Sequence, residues 1–559
     1  MTRGALVAVI LLALCRAAMA APGCPPDDAN FASLYDDPAL FENGIQAVAD
    51  YPPSAERLTG IVVPHHLTAA HLVALGFRAA SAHAYRRIVI LAPDHFRGST
   101  KPFAATSRGF DTPFGPVAAD AVAVSRLSAA LPDLEESCLF WREHGVQALL
   151  PFLKRTFPEA GIVPVAISIG ADRADWDRLV EALAAIVDDE TLVVESTDFS
   201  HYLPHHEARR RDQQTLNVIA SGSLDALTVL EQPAHLDSLG ALYVQARLQR
   251  ERFGAEMLPV ASENQQQYDE RAIAETTSYM VLIYGRFGPG AAAPAPYRGD
   301  TVYFAGDTNF GRAMKHVLIR DGAEERVLGT VRSLTGGRPL VVNLEGVILP
   351  NVPEAIDDMT LAMPEDLTID WLGKLGVAAV SLANNHALDL GASGYAETTR
   401  ALDAAGIPHF GQGEALALGG IDIVGLSDLD TNAARQVDLL TSEHLDALVR
   451  PDPARPVIAF VHWGREYAAS PSERELMLAD GMRLRGPAAI VGAHPHVASQ
   501  GLSALAGGDA VMAYSVGNFL FDQGAARASG AMVELRVFPQ GTVFARPVPL
   551  PNLFDLARE

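Results

Sequence analysis

The residues with the greatest capacity for chemistry fall in the second half of the chain, each at the end of a short apolar run. Thr301-Val-Tyr-Phe-Ala leads into Gly306-Asp307, Pro339-Leu-Val-Val into Asn343-Leu-Glu345, and Val377-Ala-Ala-Val-Ser-Leu-Ala into Asn384-Asn385-His386. Pro456-Val-Ile-Ala-Phe-Val then leads into His462, and Ala489-Ile-Val-Gly-Ala into His494-Pro-His496. Carboxylate, amide and imidazole ligands recurring at strand ends are the set expected of a dinuclear Mn, Zn or Fe site with one bridging carboxylate. Two such ions make water nucleophilic near neutral pH and neutralise the oxygens of a transferring phosphoryl or carboxylate group. The expected ligands are Asp307, Glu345, Asn385, His462, His494 and His496. His386, beside a ligand but not needed as one, is the expected general acid. Asp389 is expected to cap or orient its loop. Arg312 and Arg465 are expected to hold an anionic group through their forked donors. Pro495 predicts an extended backbone that turns His494 and His496 to the same side.

A weaker constellation lies in the first half. Gly60-Ile-Val-Val runs into Pro64-His65-His66, Arg87-Ile-Val-Ile-Leu-Ala into Pro93-Asp94-His95, and Thr191-Leu-Val-Val into Glu195-Ser-Thr-Asp198-Phe-Ser-His201. Carboxyl ends of parallel strands open onto the ligand crevice of an α/β sheet, so His65, His95, Asp198 and His201 are expected to share a pocket. His205-His206 reads as a solvated loop. Arg209-Arg210-Arg211, flanked by Glu207 and Asp212, reads as an exposed, self-neutralised helix face rather than a polyanion site.

These sites need scaffolds. Both halves alternate β-branched runs with amphipathic stretches such as Asp175–Ile186 and Pro364–Leu375, the α/β pattern. The Pro/Ala/Gly stretch 287–300 divides them. The 559 residues, 49% hydrophobic and 20% charged, are therefore read as two globular α/β domains, 35–286 and 301–550. A net charge of -24 argues against nucleic acid and anionic bilayers as partners. Residues 1–20 read as an export signal, with Arg3, an apolar run and Ala18-Met19-Ala20, which predicts a periplasmic or extracellular protein; an uncleaved anchor is the alternative. Cys24 and Cys138 would then meet an oxidising compartment, either paired or as separate thiols.

The first half resembles the Memo family, the protein B component of the AmmeMemoRadiSam system. The resemblance is carried by Val63-Pro64-His65, Leu91-Ala-Pro-Asp-His95, Glu143-His144, Leu150-Pro-Phe-Leu153 and Ser196-Thr-Asp-Phe-Ser-His-Tyr202. It implies a fold similar to class III extradiol dioxygenases, with pocket histidines at His65, His95 and His201. The family's pocket cysteine has no counterpart in Asp237-Ser238-Leu239-Gly240, which weakens a copper or iron redox reading but leaves a possible metal.

The second half resembles the calcineurin-like metallophosphatases and, more closely, the CapA family of poly-γ-glutamate capsule synthesis proteins. The motifs are Gly306-Asp-Thr-Asn-Phe-Gly-Arg312, Asn343-Leu-Glu-Gly346, Ala383-Asn-Asn-His-Ala-Leu-Asp389, His462-Trp-Gly-Arg-Glu-Tyr467, Gly492-Ala-His-Pro-His496 and Tyr514-Ser-Val-Gly-Asn-Phe519. The resemblance implies an αββα sandwich. Asn309 stands where the phosphatases place a histidine, and Glu345 where they place a bridging aspartate. The leading expectation is an exported metal-dependent hydrolase of anionic polymer or phosphoester, associated with envelope or capsule machinery. The alternatives are a non-catalytic polymer-binding accessory protein, and a Memo-like redox or metal module with a CapA-like partner domain.

Overall fold

The computed structural model describes residues 29–287, 299–354, 356–357, 359–429, 439–450, 452 and 454–559. The segment 1–20 that reads as an export signal, Cys24 and most of the linker lie outside these. Cys138 is disulfide-bonded.

In the N-terminal half the largely apolar strands Leu58–Val63, Arg87–Pro93, Gly161–Ile167 and Thr191–Ser196 run parallel as neighbours in the centre of a nine-stranded sheet. Buried on both faces, they read as continuous β-branched runs rather than alternating ones. The hairpin Glu256–Asn264 and Thr276–Gly285 closes one side antiparallel to Leu58–Val63. Helix Arg173–Ala184 covers one face behind a capping box in which Asp172 and Asp175 exchange side-chain to backbone bonds. The predicted amphipathic stretch is this helix.

The C-terminal half is two sheets face to face. One places His409–Phe410, Val377–Ser381, Leu340–Leu344 and Asp300–Thr308 parallel, then Gly530–Val537 and Val543–Leu550 antiparallel. The other places Ile421–Ser427, Val457–His462, Ala489–Ala493 and Val511–Ala513 parallel. Phe304 of the first sheet and Phe460 of the second meet edge to face at 5.6 Å in a core shared with Val341, Ile423 and Val491. Helices Ala323–Thr335 and Glu365–Lys374 cover the outer face of the first sheet, and Glu473–Arg483 that of the second. The result is the expected αββα sandwich.

Helix His205–Ala220 joins the halves. His205 and His206 open this helix rather than forming the expected loop. Arg210 and Arg211 both donate to Glu207, while Asp212 departs from the expected exposed face and is fully buried, accepting from Ser200 Oγ at 2.9 Å. Gln213 exchanges two hydrogen bonds with the backbone of Val543, at 2.9 and 2.8 Å. Asn217 donates to Gly508 O at 2.8 Å and Gln214 to Asp509 at 2.7 Å. Across the same interface Arg536 donates to Pro259 O, and Gln540 to Ser262 Oγ. Phe538 and Phe544 of the C-terminal half lie in one apolar cluster with Leu216, Val218 and Leu242 of the N-terminal half.

Candidate functional site

Parallel strands that end at one edge bring the second-half residues together. Asp307 is the next-to-last residue of its strand, opposite Asn343, Glu345 follows Leu340–Leu344, His462 ends Val457–His462, and His494 follows Ala489–Ala493. Ligand atoms of Glu345, His462 and His494 lie within 4.8 Å of one another, as do those of Asp307, Glu345 and His496. Glu345 belongs to both groups. Asn385 reaches the same place, with its Oδ1 2.7 Å from His462 Nε2. All six expected ligands thus converge.

The chain's own hydrogen bonds leave this cage incomplete. Glu345 Oε2 and His494 Nδ1 are buried without a partner, costly for polar groups in a protein interior unless a ligand or cation meets them. Burial, then the nearby Asp307 carboxylate, pushes Glu345 up to about 7. Burial and the neighbouring His496 push His494 down to about 3, so its imidazole stays neutral, with one ring nitrogen free to act as a ligand. Burial alone would lower His496, but the Asp307 carboxylate 3.1 Å away holds it above its usual value. These features fit a divalent cation bound through nitrogen and oxygen.

The surrounding bonds fix the donors. Asp307 accepts from Asn343 Nδ2 at 2.9 Å and from the His494 backbone N–H at 3.1 Å. Asn343 also contacts His462 Nδ1 at 3.1 Å and accepts from Asn384 at 3.1 Å. His496 Nδ1 meets Asn518 Oδ1 at 2.7 Å. Asn343 and Asn518 are positioning residues that chemistry-first reading passes over, since an amide in a motif has no distinguishing signal. Asn309 donates to Glu345 O and accepts from Gly311 N, so it braces the loop. His386 Nδ1 lies 2.8 Å from Asp389 Oδ2, and its Nε2 is 3.8 Å from Glu345 Oε1. The expected extended backbone at the His-Pro-His step is not present: His494 and His496 have φ of 97° and 59°, and this left-handed geometry at each side of Pro495 aims both buried rings inward.

Above the cage opens a cleft of about 690 Å³, lined in part by Arg312, Lys315, Glu345, His386, Tyr467 and Arg527. Arg465 is exposed and not part of this lining. Arg312 lines it, but is bound to both oxygens of Asp522 at 3.0 and 2.9 Å.

In the N-terminal half, His65, His95 and His144 form one ligand group, and His65, Asp198 and Asp237 another. His144 and Asp237 complete the expected cluster. His201 is not in either group; it begins the separate edge strand His201–Leu203. It still stands close enough to the cluster to be among the charges that, against the effect of burial, hold the Asp237 carboxyl below its ordinary value. Asp237 Oδ2 lies 3.1 Å from His65 Nε2 and 3.5 Å from His95 Nε2, and Thr197 Oγ1 donates to its Oδ1 at 2.6 Å. The carboxylate therefore occupies the pocket of a chain that lacks the expected thiolate. Burial alone would lower His95, but Asp237 and fully buried Glu143, 2.6 Å from Nδ1, hold it up at about 10. Burial and His95 push His144 down to about 4.

Among the described residues no helix is long and apolar enough to cross a membrane. The Memo-like protein family model matches residues 32–249, and that of the bacterial capsule synthesis protein PGA_cap matches 301–419 and 429–523. The capsule biosynthesis protein CapA of Bacillus anthracis is 29% identical over 291 residues, covering 46% of this chain and 70% of that protein. A MEMO1 family protein of Thermus thermophilus is 31% identical over 225 residues, covering 37% of this chain and 67% of that protein. Another, from Caldivirga maquilingensis, is 28% identical over 194 residues, covering 32% of this chain and 65% of its own length. The chain thus belongs to the MEMO1 family through its first half, and fuses that domain to a CapA-type capsule synthesis domain in the second.

Proposed function

We propose that the C-terminal half is a metal-dependent hydrolase of metallophosphoesterase type, exported and acting on an anionic capsule or envelope polymer or a phosphoester. The observation that carries this reading is the pair of ligand groups sharing Glu345, with two buried donor atoms left unpartnered. Asp307, Glu345, Asn385, His462, His494 and His496 would hold the metal. Divalent ions supply Lewis acidity and a nucleophile from water at neutral pH. The protein's part is positional. Asn343 holds Asp307 and His462 in register, and Asn518 holds His496. Asp389 accepts from His386 Nδ1, so that Nε2 faces the cage and can hand a proton to a leaving oxygen. Burial alone would lower His386, but Asp389 and Glu345 raise it, favouring the protonated donor.

Metal analysis of the full chain, followed by phosphodiester and phosphomonoester turnover, tests this. Stoichiometric divalent metal and turnover abolished in His462→Ala and His494→Ala are expected. Bound metal and polymer retention without turnover would favour the accessory-protein reading instead.

A second reading concerns the first half. The Asp237 carboxylate between His65 and His95 favours a borderline divalent ion such as Zn or Fe over Cu(I), which prefers thiolate. Metal lost from this half alone in His65→Ala, with redox cycling in the parent protein, would support a redox module.

A further inference from the structure

The cleft above Glu345, His386 and His496 holds two cations that no ion pair among the described residues neutralises, in a chain of net charge -24. Arg312 is bound at both oxygens of Asp522, leaving it little charge to offer a ligand. Lys315 and Arg527 line the same cleft, and neither has an ion-pair partner among the described residues. The Arg527 guanidinium lies 4.7 Å over the Tyr467 ring, a contact that restrains its plane without neutralising it. Tyr467 is held in turn by Gln523, which donates to its hydroxyl at 3.1 Å. Glu466 is the remaining carboxylate of the lining outside the cage, and it offsets only one of the two cations. The cleft volume of about 690 Å³ is many times that of a single anionic group.

We infer that Lys315 and Arg527 form an anion subsite beside the cage, so that the ligand is a chain with at least two anionic groups, one at the cage and the next at Lys315 and Arg527. This deepens the hydrolase reading, on which the reacting end rests. The subsite itself is a claim about binding. Carboxylate and phosphate both suit it, since Lys offers a point charge and Arg a planar fork to either.

The test is calorimetric binding to the full chain in a His386→Ala background, which slows turnover. The probes are a γ-linked glutamate tetramer against glutamine, the monomer with a single carboxylate, and a four-unit glycerol phosphodiester against glycerol phosphate. In at least one chemistry the tetramer should bind on the order of tenfold tighter than the monomer, with an advantage that shrinks as salt rises. The arm that shows the advantage identifies the anion. Lys315→Ala and Arg527→Ala should each remove most of it while leaving monomer affinity and the melting curve unchanged. Equal binding of tetramer and monomer in both chemistries, or variants that bind the tetramer like the parent, would overturn the subsite. Lack of turnover in the parent chain with the tetramer advantage intact would overturn only the hydrolase reading.

Discussion

Asn343 shows how a site is built from residues that do no chemistry themselves. Its amide touches Asp307, His462 and Asn384 at once, so Asn343→Ala removes one bond from each of three buried polar partners. That change should destabilise the fold by about 1–3 kcal/mol and lower metal content, read by chemical denaturation and metal analysis. Asp389→Asn should act differently, leaving metal content intact and lowering turnover roughly ten- to a hundredfold by removing the carboxylate charge that raises His386. Glu345 sets the pH dependence. Burial pushes it up to about 7, so below that pH a proton competes with the cation for the same carboxylate. Manganese titrations of the full chain on either side of pH 7 should show affinity falling as pH drops, by roughly tenfold per unit for each proton displaced. Asp, Glu and His at strand ends were legible in the sequence because few structural roles need those types there. Asn343, Asn518 and Asp237 were not, because amides and lone carboxylates serve turns and caps equally well. Arg465 stands outside the cleft lining for a related reason: motif proximity says nothing of which way a side chain leaves the backbone.

At the scale of elements, the strands that end in ligands are held closer than side chains permit. A Cβ on Gly306 would collide with the carbonyl of Gly517, and one on Gly492 with the carbonyl of Tyr514. Gly306→Ala and Gly492→Ala should therefore each cost about 1–3 kcal/mol or more, seen as a lowered melting temperature, although neither glycine touches the cleft. The strand order was largely readable, since both-face burial writes uninterrupted apolar runs. The His494-Pro-His496 step departs from the expected extended backbone. Proline restricts the residue before it toward extended backbone in general, yet both histidines adopt left-handed φ because the Asp307 carboxylate captures the His494 N–H and the two rings must enter one buried space.

At the scale of the whole molecule, the interface between halves left no mark in the sequence. Gln213, Gln214 and Asn217 look like the solvated face of an amphipathic helix, and only the fold reveals that this face meets the Gly508-Asp509 turn and the Val543 strand. Asp212 on the same helix makes this region sensitive to pH. Burial raises its carboxyl to about 7, with Ser278 and Ser200 offering partial relief. The folded state thus prefers it neutral, while the unfolded chain ionises near its ordinary value. Its contribution is full below about pH 4 and is lost as pH rises through about 7, a difference of up to about 4 kcal/mol. Asp212→Asn should flatten the fall in stability across that window, measured by denaturant unfolding at several pH values.

The sharing of one apolar cluster by Phe538, Phe544 and the N-terminal Leu216 and Leu242 bears on any attempt to study the halves apart. Severed at the linker, the capsule-type piece would present two bare aromatic rings and a strand edge stripped of its glutamine clamp, an invitation to self-association. A truncated fragment that precipitates would report on this lost seam and say nothing about whether its ligand-bearing strand edge is sound.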